Sequence, residues 1–259
     1  MGAALVTGGA KRVGRALALA LAGRGHDVAI HYASSAAPAE ALAEEIRASG
    51  RMAVALGADL LDDATVAGLI PDAADALGRP LDILINNASI FEHDTIETLT
   101  LESWERHHRS NLKAPVFLTQ AFAAQCPKGA RDAAGEPVAS GVVVNMIDQR
   151  VRKLTPEFMT YTLAKMGLWA FTQTAAQALA PDIRVNAIGP GPTLQGARQS
   201  ADHFASQRAA TVLGRGANLA DMTAALGFVL DSPALTGQLL CIDGGQHLAW
   251  QTPDVLGVE

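Results

Sequence analysis

The sequence is short of several things, and each shortage removes a class of function. Cysteine occurs twice in 259 residues, at Cys126 and Cys241, far apart in the chain. Two distant thiols make no disulfide framework, and a reducing cytoplasm suits them best. No run of about 18 apolar residues is present to form a spanning helix. The opening MGAALVTGGAKR passes straight into a strand and a glycine turn, the wrong layout for a signal peptide. Positive charge is in deficit: 20 Lys and Arg face 26 Asp and Glu, for a net charge of −6. Nucleic acid phosphates therefore meet no attractive field. Seven histidines are scattered, and the adjacent His107 and His108 face different ways on a helix, so no metal set is expected. A small-molecule partner is the expectation that survives.

What is present is an alternation. Strand-like runs at 3–7, 27–32, 51–60, 81–89, 141–146, 182–190 and 237–243 are separated by helix-length segments. Val13, Leu17 and Leu21 recur every four residues after the first run. Further helices are expected near 37–48, 63–77, 101–125, 160–180 and 219–230. Gly50 stops the second, Pro71 breaks or restarts the third, Thr100 caps the long fourth, and Pro115 kinks it. Strands alternating with helices predict an α/β fold of the doubly wound Rossmann type, a parallel sheet with helices on both faces. No linker or low-complexity tract interrupts the chain, which reads as one domain over 1–259. The 127–140 segment has no period and reads as a surface loop. The 189–205 segment follows the C-terminal end of a strand, where open α/β sheets bind ligands.

TGGAKRVG, 7–14, joins the first strand to the first helix. Gly8 and Gly14 suit a tight turn and close helix packing, and a helix N-terminus favours phosphate. The place of this turn in an alternating chain makes it a dinucleotide signal. NAD-preferring domains often carry an acid at the end of the second strand to bind the ribose hydroxyls. Here that strand ends HYASS, and His31, Tyr32, Ala33, Ser34 and Ser35 include no acid. Lys11 and Arg12 lie close to the same place. Cations with hydroxyls suit an extra 2′-phosphate and favour NADPH, the bland alternative being that both merely cap a solvated turn. In YTLAK, Tyr161 and Lys165 are four apart and share a helical face. An ammonium near a phenol makes it a better proton donor at neutral pH.

With these pieces in this order the chain resembles the short-chain dehydrogenases/reductases over nearly its full length. The matching residues are the glycine turn, ADL (58–60), NNAS (86–89), Asn111, YTLAK, VNAIGPG (185–191) and DGG (243–245). The resemblance implies a seven-stranded sheet and a homotetramer. It implies that the cofactor lies along Thr7, Gly8, Lys11, Arg12 and Val13, then His31, Tyr32, Ser34 and Ser35. Further along come Asp59 and Leu60, the former beside the adenine, and Asn87, Ala88 and Ser89. Pro190 and Gly191 flank the nicotinamide. Tyr161 donates the proton, Lys165 holds the nicotinamide ribose and lowers the phenol's pKa, and Asn111 holds a relay water.

Three departures narrow the resemblance. Arg12 replaces a usual glycine, the second strand ends in HY with small polar residues, and Asp148 in NMIDQR stands where a catalytic serine is usual. The pteridine reductases share this set, with an aromatic at the position of Phe91; the ending DGGQHL resembles the dihydromonapterin reductases. A pterin presents ring nitrogens and an amino group, for which an acid is a suitable partner. The expected substrate site is therefore Arg12, Ser89, Phe91, Asp148 and Tyr161, with Phe91 and the nicotinamide sandwiching a flat ring. The alternatives are a reductase of a 3-oxoacyl thioester or small ketone, with Asp148 a loop acid beside Arg150 and Arg152, and a non-catalytic NADP(H)-binding regulator. The apolar ending HLAWQTPDVLGVE, with Leu248, Trp250, Val255 and Leu256, is expected at a subunit interface.

Overall fold

The structure, a computed structural model, describes residues 2–196 and 199–250. Seven strands form one parallel sheet: β1 (Ala3–Val6), β2 (Asp27–Tyr32), β3 (Ala53–Gly57), β4 (Ile83–Asn86), β5 (Gly141–Met146), β6 (Ile183–Pro190) and β7 (Leu239–Ile242). Their order across the sheet is β3-β2-β1-β4-β5-β6-β7. The direction of winding reverses between β1 and β4, so a crevice opens beyond their C-terminal ends.

The strands are apolar nearly throughout because helices cover both faces. Side chains alternate along β1: Ala4 and Val6 join the layer of α1 (Arg12–Gly23), α2 (Ala36–Ala48) and α8 (Leu219–Asp231), packed through Leu17, Leu42 and Leu226. Ala3 and Leu5 turn to the other layer, with α3 (Asp63–Leu77), α5 (Ala114–Gln125) and α6 (Met159–Leu179), packed through Ile70, Phe122 and Ala176. The α7 helix (Ala201–Ala209) stands apart from both cores, with no buried residue.

Four expectations are corrected. Pro71 neither breaks nor restarts α3. It stands on the exposed side, as does Ala67, whose carbonyl loses its helical partner to solvent at little cost. The long fourth helix is divided, but Pro115 is not the cause. α4 (Leu101–His108) passes through a π turn at Arg109–Lys113 before α5 begins, and Pro115 sits harmlessly in the first turn of α5. The 127–140 segment is exposed, yet it pairs Ala130–Arg131 with Pro137–Val138. The α7 helix begins at Ala201, inside the segment that follows β6. Strand limits are also tighter than hydrophobicity alone suggests, most of all for β3. Thr100 does cap α4, in a reciprocal box with Ser103.

Candidate active site

The crevice holds a cleft of about 550 Å³ lined by Gly8, Lys11, Arg12, Val13, Gly14, His31, Asp59, Leu60, Asn87, Ala88 and Ser89. All but Gly14, a packing glycine, are among the expected cofactor residues. Gly8 takes φ +60°, open to glycine at no steric cost. A Cβ on Gly14 would stand 2.2 Å from Gly8 O, so the first turn of α1 closes on the strand only because Gly14 has none. Asn87 fixes the same turn, its Nδ2 donating to Thr7 O and Gly8 O at 2.9 and 3.1 Å. Thr7 is scaffold rather than lining: buried, its Oγ1 accepts from the amides of Asn87 and Ala88.

His31 is committed as well. Its Nδ1 accepts from Gly8 N at 3.0 Å, so Nε2 carries the proton and donates to Ala58 O. Burial lowers its pKa and favours this neutral form. Tyr32, Ser34 and Ser35 do not line the cleft. The Tyr32 ring packs over Gly57, where a Cβ would meet it at 3.1 Å. Ala33, Leu61, Ile90, Arg106 and Ser110 line the cleft unanticipated. Ile90 adjoined a recognised motif, whereas Arg106 and Ser110 arrive only through the docking of α4 and the π turn that follows it.

Beyond the cleft, β5 and α6 bring Asp148, Tyr161 and Lys165 together. Asp148 follows β5 and caps the short 3-10 turn Gln149–Arg152, its Oδ1 accepting from Arg150 N at 2.8 Å. Its Oδ2 accepts from the Tyr161 hydroxyl at 2.9 Å. Burial pushes the Asp148 carboxyl up, partly offset by Arg150 and the phenol. Burial raises the phenol well above its usual range, and the Asp148 carboxylate raises it further. Lys165 is buried, donates to Met146 O at 2.8 Å, and is lowered by burial to about 8. The ammonium, expected to lower the phenol's pKa, does not set the direction of its shift here. Its Nζ lies 5.7 Å from the ring centroid, while burial first and the nearer Asp148 oxygen second push the phenol up.

The Asn111 side chain is spent on backbone. Its Oδ1 accepts from Ile90 N and its Nδ2 donates to Ile90 O, both at 2.8 Å. Phe91 forms one wall, 45% exposed, stacked on Phe158 at 4.2 Å and edge-on to Tyr161 at 4.7 Å. Phe158, missed from the sequence, is itself covered by the Arg150 guanidinium. Arg12, at φ +55°, donates to Leu194 O and Gln195 O at 3.2 and 3.0 Å, tying the glycine turn to the segment after β6. Pro190 ends β6, and Gly191 packs where a Cβ would stand 2.5 Å from that of Asp243. Chemically, the arrangement is a proton-sharing acid and phenol, with an ammonium behind and an aromatic wall beside.

The chain is similar to known proteins over nearly its full length. The profile of the short chain dehydrogenase family matches residues 2–205. A solved structure of FolM, alternative dihydrofolate reductase 1, from Brucella suis in complex with NADP is 44% identical, with a TM-score of 0.90, covering 98% of each chain. The 3-oxoacyl-[acyl-carrier-protein] reductase FabG of Staphylococcus aureus is 30% identical over 250 residues, 95% of this chain and 98% of that one. The L-rhamnose 1-dehydrogenase (NAD(P)(+)) of a Sphingomonas strain is 32% identical over 257 residues, 95% and 96% of the two chains.

Proposed function

Because the chain belongs to the short-chain dehydrogenase family, we propose that it is an NADPH-dependent reductase of a pterin ring, converting a dihydropterin to a tetrahydropterin. The observation that carries this reading is the hydrogen bond from the Tyr161 hydroxyl to the Asp148 carboxylate beside the Phe91 wall. The FolM likeness supports it, and the FabG and rhamnose dehydrogenase likenesses supply the competing carbonyl reading.

The cleft fits a dinucleotide. The first turn of α1 faces it, Gly14 letting that turn pack against Gly8, and no acid ends β2 to repel a 2′-phosphate. Lys11, exposed at the N-cap of α1, is the cation at the mouth. Arg12 would have to leave its loop carbonyls to reach that phosphate. NADPH, when bound, supplies the hydride. The chain's own residues manage the proton. Reducing a ring C=N bond needs a hydride on carbon and a proton on nitrogen. The Tyr161 hydroxyl donates to the Asp148 carboxylate, so the pair holds one proton between its oxygens and titrates as a unit. Lys165 places positive charge behind the pair as the proton leaves. Phe91 offers its ring to a flat heterocycle, with Ser89 alongside. Since the Asn111 side chain is occupied by Ile90, a relay water would rest on its main chain.

The test is NADPH oxidation with dihydrobiopterin, dihydromonapterin, dihydrofolate and an acetoacetyl thioester in parallel. Turnover confined to the thioester would replace the pterin reading with the carbonyl one. We also propose a homotetramer. Leu101, Trp104 and Phe117 are exposed along α4 and α5, and a second apolar groove is lined by Val212, Leu213, Phe228 and Leu248. Light scattering at micromolar concentration that gives a monomer would remove this. Val255 and Leu256 lie outside the described residues.

A further inference from the structure

The segment 90–94, which carries the aromatic wall, runs alongside α4 and the π turn. Its even-numbered residues all meet one stripe of that helix. Ile90 is held by Asn111 through both its N–H and its C=O. Glu92 N donates to His107 Nε2 at 3.1 Å, and its carboxylate grips Arg106 at 2.9 Å. The Asp94 carboxylate accepts from Ser103 Oγ at 3.2 Å. Ser103, His107 and Asn111 are spaced by four residues, so they lie one above another on the helix. Four helical residues rise about 6 Å, and two extended residues span about 6.6 Å. The two repeats therefore match, and the segment zips antiparallel along α4.

Odd-numbered residues turn the other way. Phe91 stacks on Phe158, and His93 meets the same ring edge-on at 5.1 Å. His107 also reaches across. Because Nε2 accepts from a backbone amide, Nδ1 carries the proton and donates to Thr160 Oγ1 at 2.7 Å. Thr160 Oγ1 donates in turn to Asp94 Oδ2, while Asp94 Oδ1 accepts from Thr160 N at 3.1 Å. Asp94 thereby caps α6, which Phe158 at the N-cap has no side-chain acceptor to do. Thr160 adjoins Tyr161. His107, with no exposed surface, reaches from α4 both to the Phe91 segment and to the first turn of the Tyr161 helix.

We propose that His107, with Ser103, is a positioning residue that sets the register of Phe91 against Phe158 and Tyr161 and so determines how tightly a flat heteroaromatic substrate is held. The substrate part rests on the pterin reading; the register part does not.

The experiment uses the full-length protein with NADPH bound. His107→Leu removes acceptor and donor together, and His107→Gln restores an amide that offers both. In His107→Leu the Glu92 amide should exchange with deuterium about tenfold faster while the Ile90 amide, held by Asn111, stays within about twofold. His107→Gln should recover most of that protection. For dihydropterin, His107→Leu should raise KM about tenfold while kcat and the NADPH KM move less than about threefold. In a Phe91→Ala background the same change should alter the dihydropterin KM by less than about twofold, because the ring it positions is gone. Ser103→Ala, at the open end of the stripe, should give the same KM split at smaller size and carries the comparison if His107→Leu fails to fold. Unchanged Glu92 protection, a matching rise in the NADPH KM, or an undiminished effect without Phe91 would each overturn the proposal. Wild-type protein that reduces no dihydropterin would remove the functional reading instead, leaving the exchange measurement to decide the register.

Discussion

Replacing Asp148 by asparagine isolates the charge of the acid from its shape. The side chain keeps its size, and its Oδ1 can still accept from Arg150 N, so the turn at 149–152 stays capped. What changes is the atom facing Tyr161. The carboxylate oxygen that accepts the phenol proton at 2.9 Å becomes either a neutral acceptor or an amide donor. A hydrogen bond to a charged group contributes about 1.5–3 kcal/mol. Lost from the barrier, that corresponds to a rate roughly ten- to a hundredfold slower at saturating substrate. The carboxylate is also the second cause, after burial, of the raised phenol pKa. Its removal should let the phenol ionise at lower pH, so the alkaline limb of the rate profile should move down in pH. Asp148 does not line the cofactor cleft, so the NADPH KM should stay within about twofold. The assay is steady-state NADPH oxidation with a dihydropterin from acid to alkaline pH. A kcat within twofold of wild type, or a loss confined to the NADPH KM, would refute the argument that the acid and phenol act as a pair. Asp148→Ser, which restores a hydroxyl, should lose pterin reduction and gain reduction of simple ketones.

Other changes test other parts of the site. Tyr161→Phe should abolish turnover while NADPH still quenches or shifts protein fluorescence, as the proposed role of the phenol as proton donor requires; appreciable residual turnover would remove it from that role. Gly14→Ala should weaken NADPH at least about tenfold and cost about 1–3 kcal/mol of stability in denaturant unfolding, because the new Cβ would stand 2.2 Å from Gly8 O and 2.6 Å from Asn87 Nδ2. Lys165 is lowered from 10.5 to about 8, so kcat/KM for NADPH should fall as pH rises past that value, and Lys165→Met should lack this limb. The stability sign is the reverse: between about 8 and 10.5 the unfolded chain holds the extra proton, so this residue's contribution to stability rises with pH across that window. Arg12→Ala should weaken NADPH more than NADH if the guanidinium leaves Leu194 and Gln195 for the 2′-phosphate, and equally small effects on both would confine Arg12 to the loop.

Local sequence determined much of this protein. Hydrophobic runs broken by helical periods specify the parallel sheet, because only a strand covered on both faces is apolar throughout. Gly8, Gly14 and the acid-free end of β2 mark the cofactor cleft because their meaning depends on backbone geometry close at hand. The spacing of Tyr161 and Lys165 placed both on one helical face. Tertiary structure decided what these groups do to one another. The ammonium lies near Tyr161 in sequence, yet the Asp148 oxygen touches the hydroxyl and moves its pKa the other way. Pro115 looked like a kink, but the π turn lies at Arg109–Lys113, where Asn111 is drawn to both backbone groups of Ile90. Phe158, His107 and Ser103 carried no sequence signal. The contacts that join 90–94, α4 and α6 through them span 9 to 67 residues, and form only when these elements pack together. Periodicity reports which face of an element is buried, and it is silent on which side chain of another element waits there.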